Sequence, residues 1–447
     1  MRKLTFKGGI HPNDSKGATN SLAIRELVPP DVMYYPLAQH IGAPLAPTVS
    51  VGDEVKMGQI IADSEAFVSA PLHASVSGTV KEIGMCMHPS GSKVPAIIIE
   101  NDGLDTPCEP INTKSLEELT PKEILNLVRT SGIVGMGGAG FPTHVKLSPP
   151  PEKKITHIIL NGAECEPYLT SDHRVMLETP GDVITGLRAM MKIFSLSEAY
   201  IGIEENKPDA IKKIKDCAKG YPGIKVLTLK KKYPQGAEKQ LIYAVTGREV
   251  PSGGLPADVG CIVTNVDTAT EIAKAVEKGI PLMSRVVTVA GGAVKKPANF
   301  RVRVGTPFSY VIEQAGGLCA EPKKIIMGGP MMGIAGSSLD APVIKGTSGI
   351  LTFTEQEVRL SNPTNCLRCG KCVQVCPMDL VPCMLAVHSG RKNLEECEKY
   401  NILDCIECGS CSYICPAERH VVQAIRWGKQ QVQAKRAKEK AKKEAQK

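Results

Sequence analysis

The sequence predicts a multidomain α/β protein, and three observations carry that prediction. The first hundred or so residues hold short β-like runs broken by Gly and Pro, with no long helical pattern. Residues 115–280 alternate apolar strand-like runs with amphipathic helical ones, the mark of a parallel sheet flanked by helices. Ten of the sixteen cysteines fall between Cys366 and Cys415, and clustering of that kind reads as metal binding rather than as a disulfide scaffold. The 447 residues give room for roughly three domains. A composition of 42% hydrophobic and 22% charged residues belongs to a folded chain and excludes disorder. No apolar stretch approaches the roughly 18 residues that a membrane-spanning helix needs. The opening residues MRKLTFKGGIHPNDSK lack the apolar core of a signal peptide, so a cytoplasmic location is expected. Of the net charge of +8, residues 429–447 supply +6, with eight Lys/Arg against two Glu. The body is therefore near neutral, and no nucleic-acid-binding face is expected.

Taken in order, residues 1–105 form the first block. Residues 50–62 (SVGDEVKMGQIIA) and 74–83 (ASVSGTVKEI) resemble the hammerhead of lipoyl and biotinyl carrier domains, a barrel-sandwich hybrid. Those carriers present a modified Lys at a hairpin tip. Residues 63–73 contain no Lys, so a structural or docking role is expected in place of a swinging arm. In the second block, 155–160, 199–204 and 225–230 read as buried strands of an α/β domain spanning 115–280. Helical patterns occupy 121–130, 182–194, 208–219 and 267–278. Residues 285–340 return to β character with one helix expected at 307–314, and resemble the small SLBB-like β-grasp module found beside flavin domains. A Pro/Gly/Ser-containing stretch at 336–365 leads to a helical cysteine domain at 360–427 and a basic tail at 428–447.

The cysteine block carries one pattern twice: Cys366-x2-Cys369-x2-Cys372-x3-Cys376-Pro377 and Cys405-x2-Cys408-x2-Cys411-x3-Cys415-Pro416. Three closely spaced thiolates wrap one face of a four-iron cluster, and the fourth cysteine of such a run crosses to the other cluster. This predicts two [4Fe–4S] clusters. Cys366, Cys369, Cys372 and Cys415 hold the first; Cys405, Cys408, Cys411 and Cys376 hold the second. Paired zinc sites would leave the third and fourth cysteines and the prolines unexplained. Cys383 and Cys397 read as ordinary residues of a helical spacer. Such clusters pass electrons singly and take no hydride, so the chain is either a relay or carries a second cofactor that converts two-electron into one-electron chemistry.

Residues 135–140 (GMGGAG) satisfy GxGxxG in letters only. A dinucleotide-binding fold needs a strand before the loop and a long helix after it, whereas 121–130 looks helical and prolines follow closely. Loops without side chains still let backbone N–H groups approach a phosphate or a flat ring. Residues 137–143 (GGAGFPT) with Lys146, then 161–167 (NGAECEP), 236–238 (GAE) and 265–268 (NVDT), resemble the FMN- and NADH-binding subunit of respiratory complex I. Together with the other blocks, nearly the whole chain resembles the RnfC/RsxC family of Rnf complexes. The most specific stretch is 405–416 (CIECGSCSYICP).

The resemblance implies noncovalent FMN and NAD(H) as substrate. It places Gly135, Gly137, Gly138, Gly140 and Phe141 against the flavin, and Lys146 near an anionic part of either nucleotide. It places Asn161, Glu164, Glu166 and Glu238 around the ring, ribityl chain or nicotinamide, and Asn265 and Thr268 at the FMN phosphate. Ala163 stands where the complex I subunit has an acidic residue, so one flavin contact is absent or replaced. The implied function is NADH handling within a membrane-bound, ion-translocating ferredoxin:NAD+ oxidoreductase. Such a protein sits peripherally on the cytoplasmic side against integral membrane and redox subunits, with ferredoxin an indirect partner. A corrinoid reductase of bacterial microcompartments and a ferredoxin-like relay with a vestigial flavin site remain the alternatives. No histidine is expected to act in catalysis.

Overall fold

The computed structural model describes residues 4–358 and 362–445. Residues 1–3 of the expected first block, 360–361 of the cysteine domain and 446–447 of the tail lie outside the described residues. Among the described residues, no helix is long and apolar enough to cross a membrane.

The second block folds around a four-stranded sheet in the order Ile224–Leu229, Ala199–Glu204, His157–Gly162, Cys261–Asn265, every pairing parallel. Ile158, Ile159 and Leu160 are all fully buried, as expected of a strand covered on both faces. One face packs on the helices Pro121–Thr130, Pro180–Ile193, Pro208–Ala218 and Val266–Lys278. The other carries Leu241 and Ile242 from the helix Glu238–Thr246, with Leu4 of the N-terminal segment alongside. Pro121–Thr130 starts where the sequence sets it. Thr120 and Glu123 form a reciprocal capping box, and Pro121 needs no N–H partner in the first turn.

The first block is a pair of antiparallel sheets closed on a core of Met33, Tyr35, Ile61, Leu72 and Ile97. The turn at which carrier domains would present a lysine is docked instead on the α/β domain. His144 Nε2 lies 3.0 Å from the Phe67 carbonyl, and Arg129 donates to the Ser64 carbonyl at 3.1 Å. Lys345, from the connecting stretch that follows the third block, is fully buried at this junction. It donates to the carbonyls of Pro71 (2.5 Å) and Gly132 (2.7 Å), tying three modules together. Burial pushes its ammonium down to about 7.

The third block differs from expectation at both ends. Its sheet has six strands, ordered Ile24–Glu26, Ala298–Arg303, Ser284–Ala290, Gly349–Phe353, Lys324–Met327, Ile334–Gly336. Two strands thus come from outside 285–340. Ile24–Glu26 belongs to the first block in sequence, and Gly349–Phe353, buried throughout, falls in the stretch read as a connection. Residues 4–20 also leave the first block: Leu4 pairs with Leu229 and Ile10 with Tyr233 on the α/β domain.

The cysteine domain is helical, as expected, but no boundary falls at residue 428. One helix runs from Val421 to Ala445. Within it Val432 is fully buried, Lys429 donates to the Cys405 carbonyl at 2.7 Å, and Lys435 and Arg436 pair with Glu398. Half of the expected tail is therefore part of the cluster domain.

Candidate redox site: a switch-point crevice and two cysteine cages

The strand order decides where a ligand binds. His157–Gly162 lies at the point where chain order reverses, between Ala199–Glu204 on one side and Cys261–Asn265 on the other. Ligands of open α/β sheets settle in the crevice beyond the carboxyl ends of the strands at such a point. Asn161 and Asn265 are register partners there. Asn161 donates to the Gly236 carbonyl at 2.8 Å and accepts from the Ala163 N–H. Asn265 caps the helix Val266–Lys278 through the Asp267 N–H, and its Nδ2 donates to Asp172 at 2.6 Å.

The glycine loop lies over this crevice. It runs between the helix Pro121–Thr130 and a single turn, Thr143–Lys146, and so has neither the preceding strand nor the following long helix of a dinucleotide fold. Gly135 N–H closes it onto the Phe141 carbonyl at 2.8 Å, and Phe141 is half-buried beside it. Gly137 and Gly140 both have φ of +68°, and a Cβ on Gly137 would stand 2.9 Å from Asn265 Nδ2. Only glycine fits there without strain. Gly138, by contrast, faces open space.

Thr268 is fully buried, and its Oγ1 accepts from the Met136 N–H at 2.9 Å. It therefore anchors the loop, which revises the expectation that it meets the phosphate directly. Lys146 donates to Glu238 at 2.9 Å and to the Val263 carbonyl, so these two expected residues form one ion pair at the rim.

Glu164 and Glu166 part company. Glu164, in the left-handed region at φ +48°, accepts from the Asp172 N–H with one oxygen. Its other oxygen is shut away from solvent without a hydrogen-bond partner, and Lys16 Nζ lies 3.6 Å from it. A buried, unsatisfied carboxylate oxygen beside an open glycine loop is what a ligand donor would complete. Glu166 instead accepts from the backbone N–H groups of Met331 and Met332 at 3.0 and 2.9 Å. The expectation that it meets the cofactor gives way to a latch between the α/β domain and the third block.

Four polar residues of the site escaped sequence reasoning. Lys16 reaches in from the N-terminal segment, donating to the carbonyls of Glu166 and Leu169; burial pulls its ammonium below the usual lysine range, against the pull of Glu164. Lys207, also buried, donates to the Ala163 carbonyl. Arg285 from the third block forms a buried ion pair with Asp267 in the first turn of the Val266–Lys278 helix. Asp172 lies deep in the fold yet keeps part of its surface open. Burial, then the neighbouring carboxylates of Glu164 and Asp267, push its carboxyl up to about 7. It is an acidic group held between Glu164 and Asn265. No sequence pattern marks any of the four.

The cysteine runs repeat in backbone as well as in sequence. Arg368 and Glu407 have φ of +55° and +56°, Gly370 and Gly409 +74° and +77°, and Asp379 and Glu418 +51° and +50°, at equal offsets from the first cysteine of each run. Cys376, Cys405, Cys408 and Cys411 line one cavity with Pro377, Leu380, Leu385 and Ile425. These are the four cysteines that the crossing rule assigns to one cluster. Burial raises the thiols of Cys376, Cys405 and Cys411, Cys405 to about 11 against the pull of Lys429, and the pocket they line is apolar. Among the described residues no three side chains of ligand type close tightly enough for a single ion. Of the other set, Cys366 and Cys369 are exposed; the Thr364 N–H donates to the Ala417 carbonyl, bringing the start of the first run beside the end of the second. Cys397 is a buried helix residue as expected, but Cys383 lies in hydrogen-bond contact with Cys372.

Known proteins share this organisation along the full chain. Family models match the RnfC barrel-sandwich hybrid domain over residues 4–104, the Nuo51 FMN-binding domain over 128–274, the SLBB domain over 286–335 and the 4Fe–4S dicluster domain over 359–416. The C component of a proton-translocating ferredoxin:NAD(+) oxidoreductase complex from Clostridium ljungdahlii is 54% identical, over 98% of this chain and 96% of the relative. The chain belongs to the RnfC family of ion-translocating oxidoreductase complexes. Within that family, the C component of a Na(+)-translocating complex from Acetobacterium woodii is 48% identical over 97% of this chain and 98% of its own length. Its counterpart from Rhodobacter capsulatus is 42% identical, covering 96% and 83%. Membership in the RnfC family sets aside the corrinoid-reductase and bare-relay alternatives.

Proposed function

We propose that this chain is the nucleotide-handling electron-transfer subunit of an ion-translocating ferredoxin:NAD+ oxidoreductase, with FMN seated in the switch-point crevice and two [4Fe–4S] clusters in the cysteine cages. The observation that carries the reading is the meeting of Asn161 and Asn265 in register beneath a glycine loop whose Gly138 opens outward. When bound, FMN exchanges a hydride with nicotinamide and gives or takes electrons singly, and the clusters carry those single electrons.

The protein's own part is placement. The loop's glycines let backbone approach a flat ring, and Thr268 holds that loop at the positive end of the Val266–Lys278 helix, which Asn265 caps and where an anionic group is favoured. Asn161 and the Glu164 oxygen that lacks a hydrogen bond lie at the strand end, where they would meet the ring or ribityl edge. The Lys146–Glu238 pair lies at the rim. Peripheral attachment on the cytoplasmic side of integral partner subunits belongs to the same proposal, supported by the family and by two exposed cluster cysteines, Cys366 and Cys369, at the outward end of the cysteine domain.

The test uses Gly138→Phe. A Cβ there has no protein atom within 4 Å, so the chain should fold and keep its iron, while the added ring should crowd the flavin. FMN released by acid precipitation should fall from one per chain to near none, and NADH should no longer bleach the sample. One FMN per chain in the variant would refute the site. Co-purification of the native chain with integral subunits from solubilised membranes tests the attachment.

A further inference from the structure

The two cages sit differently against the flavin side of the molecule. Three donors from the α/β domain and its N-terminal segment reach carbonyl oxygens in the two runs that build the Cys376/Cys405/Cys408/Cys411 cage. The Gly9 N–H donates to Val375 at 2.8 Å, the Tyr233 hydroxyl to Cys408 at 2.8 Å, and Gln240 Nε2 to Pro377 at 2.9 Å. Gly8 approaches so closely that a Cβ would stand 2.8 Å from the Cys376 carbonyl oxygen, at a φ of +76°. Tyr233 and Gln240 are 1% and 5% exposed, so their bonds are sheltered from water. Ile10, Tyr233 and Cys408 form a small buried core of their own, with Cys165, Met331 and Ile406 packed on it.

The contact runs straight back to the crevice. Cys165 lies between Glu164 and Glu166 and accepts from the Gly236 N–H at 3.4 Å, and that residue's carbonyl is the one held by Asn161. The Tyr233 hydroxyl stands 3.4 Å from Glu166, on the same strand-end loop. The other set is held differently: Cys366 and Cys369 are exposed, and Leu367 between them is 65% exposed.

We propose that the cage of Cys376, Cys405, Cys408 and Cys411 is the flavin-side station of the electron route, and that Tyr233 is its positioning residue, holding the Cys408 backbone and tuning the cluster there. The inference rests on the flavin and cluster reading above and adds an order and a residue to it. Single electrons would be exchanged between the flavin and this cluster, between it and the one held by Cys366, Cys369, Cys372 and Cys415, and between that one and the next carrier. A hydroxyl dipole aimed at a ligand's carbonyl favours extra negative charge on the cluster, so Tyr233 raises its reduction potential; hydrogen bonding near the sulfurs is one of the levers on that potential. Gln240 and Gly9 keep the cage at fixed distance without that dipole at the ligand itself.

The experiment uses the full chain, reconstituted anaerobically with FMN and iron. Tyr233→Phe keeps the ring and removes the donor. Redox titration followed by electron paramagnetic resonance should show one cluster shifted to lower potential, its reduction equilibrium weakened by up to about tenfold, about 59 mV for a one-electron couple. The other cluster should be unmoved. Cys369→Ala, which removes a ligand of the outer cluster, should leave rapid reduction of the remaining cluster by NADH, whereas Cys408→Ala should slow reduction of the remaining cluster at least tenfold. Fast reduction of the outer cluster in Cys408→Ala overturns the order. An unshifted potential in Tyr233→Phe, with FMN and iron intact, overturns the role of Tyr233. A wild-type chain that takes up no FMN would instead defeat the proposed function itself.

Discussion

Gly186 is the place where a single methyl group should do the most damage to the flavin site from a distance. It lies inside the helix Pro180–Ile193, where this helix crosses Val266–Lys278 backbone to backbone. A Cβ at Gly186 would stand 1.9 Å from the Ala269 carbonyl oxygen, 2.5 Å from its carbon and 2.9 Å from its Cα. No side chain can swing aside, so the helices must part by roughly 1 Å before the oxygen contact reaches even 3.0 Å. Overpacking of this kind costs about 1–3 kcal/mol. Parting also loosens the buried seam of Ile184, Leu187, Ile272 and Val276, each at most 1% exposed. The better helix propensity of Ala returns only about 1 kcal/mol. Gly186→Ala should therefore destabilise the α/β domain by about 1 kcal/mol, and by about 2 kcal/mol at the upper end of the overpacking cost. Because Asn265 and Thr268 ride on the displaced helix, FMN affinity should fall as well, by about tenfold for each 1.4 kcal/mol of lost alignment. Calorimetry and fluorescence titration with FMN measure the two effects. An unchanged or raised melting transition with native FMN affinity would refute the close-crossing argument.

Asp172 makes stability depend on pH. Its folded carboxyl titrates near 7 against 3.8 for an ordinary aspartate, so between those values the folded state holds a proton that the unfolded chain has released. Stability should then fall as pH rises from about 4 to 7. Asp172→Asn should remove that slope and melt higher than wild type at pH 8 but not at pH 4, as read from urea midpoints. Glu166→Ala leaves the Met331 and Met332 N–H groups without their acceptor, a loss of about 2–3 kcal/mol, seen as faster proteolysis of the loop at 329–333. Cys376→Ala should abolish the cluster of the second run and leave about four of eight irons, counted by iron and acid-labile sulfide assay. Cutting the chain after Trp427 removes Val432 and the Lys429 bond to Cys405, so iron retention should drop, while cutting after Ala437 spares both.

The strands and helices of the α/β domain were legible because each is local. Ala199–Glu204 is a short, mainly apolar run closed by turn residues, and Pro208–Ala218 repeats its apolar positions at helical spacing. The cysteine runs were legible because their spacing is itself the geometry. Gly349–Phe353 is hard to see in the sequence although its Ile-Leu-Thr-Phe run carries a strand signal, since the Pro and Gly residues around it mark a connection. The helix from Val421 was truncated for a similar reason: lysines outnumbered the few buried positions, Val421, Val422, Ile425 and Val432, that pin it down. Lys16, Asp172 and Arg285 were out of reach altogether. Each is one polar residue among many, and only the fold brings Lys16 from the far N-terminal segment to face Glu164.

The N-terminal segment also bears on how far the molecule can be taken apart. Leu4 and Ile10 pair with Leu229 and Tyr233, Ile24–Glu26 completes a sheet whose neighbouring strand begins at Ala298, and Lys345 closes the junction from the far side. The modules that look separable along the chain are sewn through one another, with the first-made residues waiting for partners made far later in synthesis. A flavin module cut out at 115–280 would lack Lys16, Arg285 and the strap across its second sheet face. Swapping any one module between relatives would carry a seam on every side, so inheritance of the whole chain as a unit is the easier path for evolution and for engineering alike.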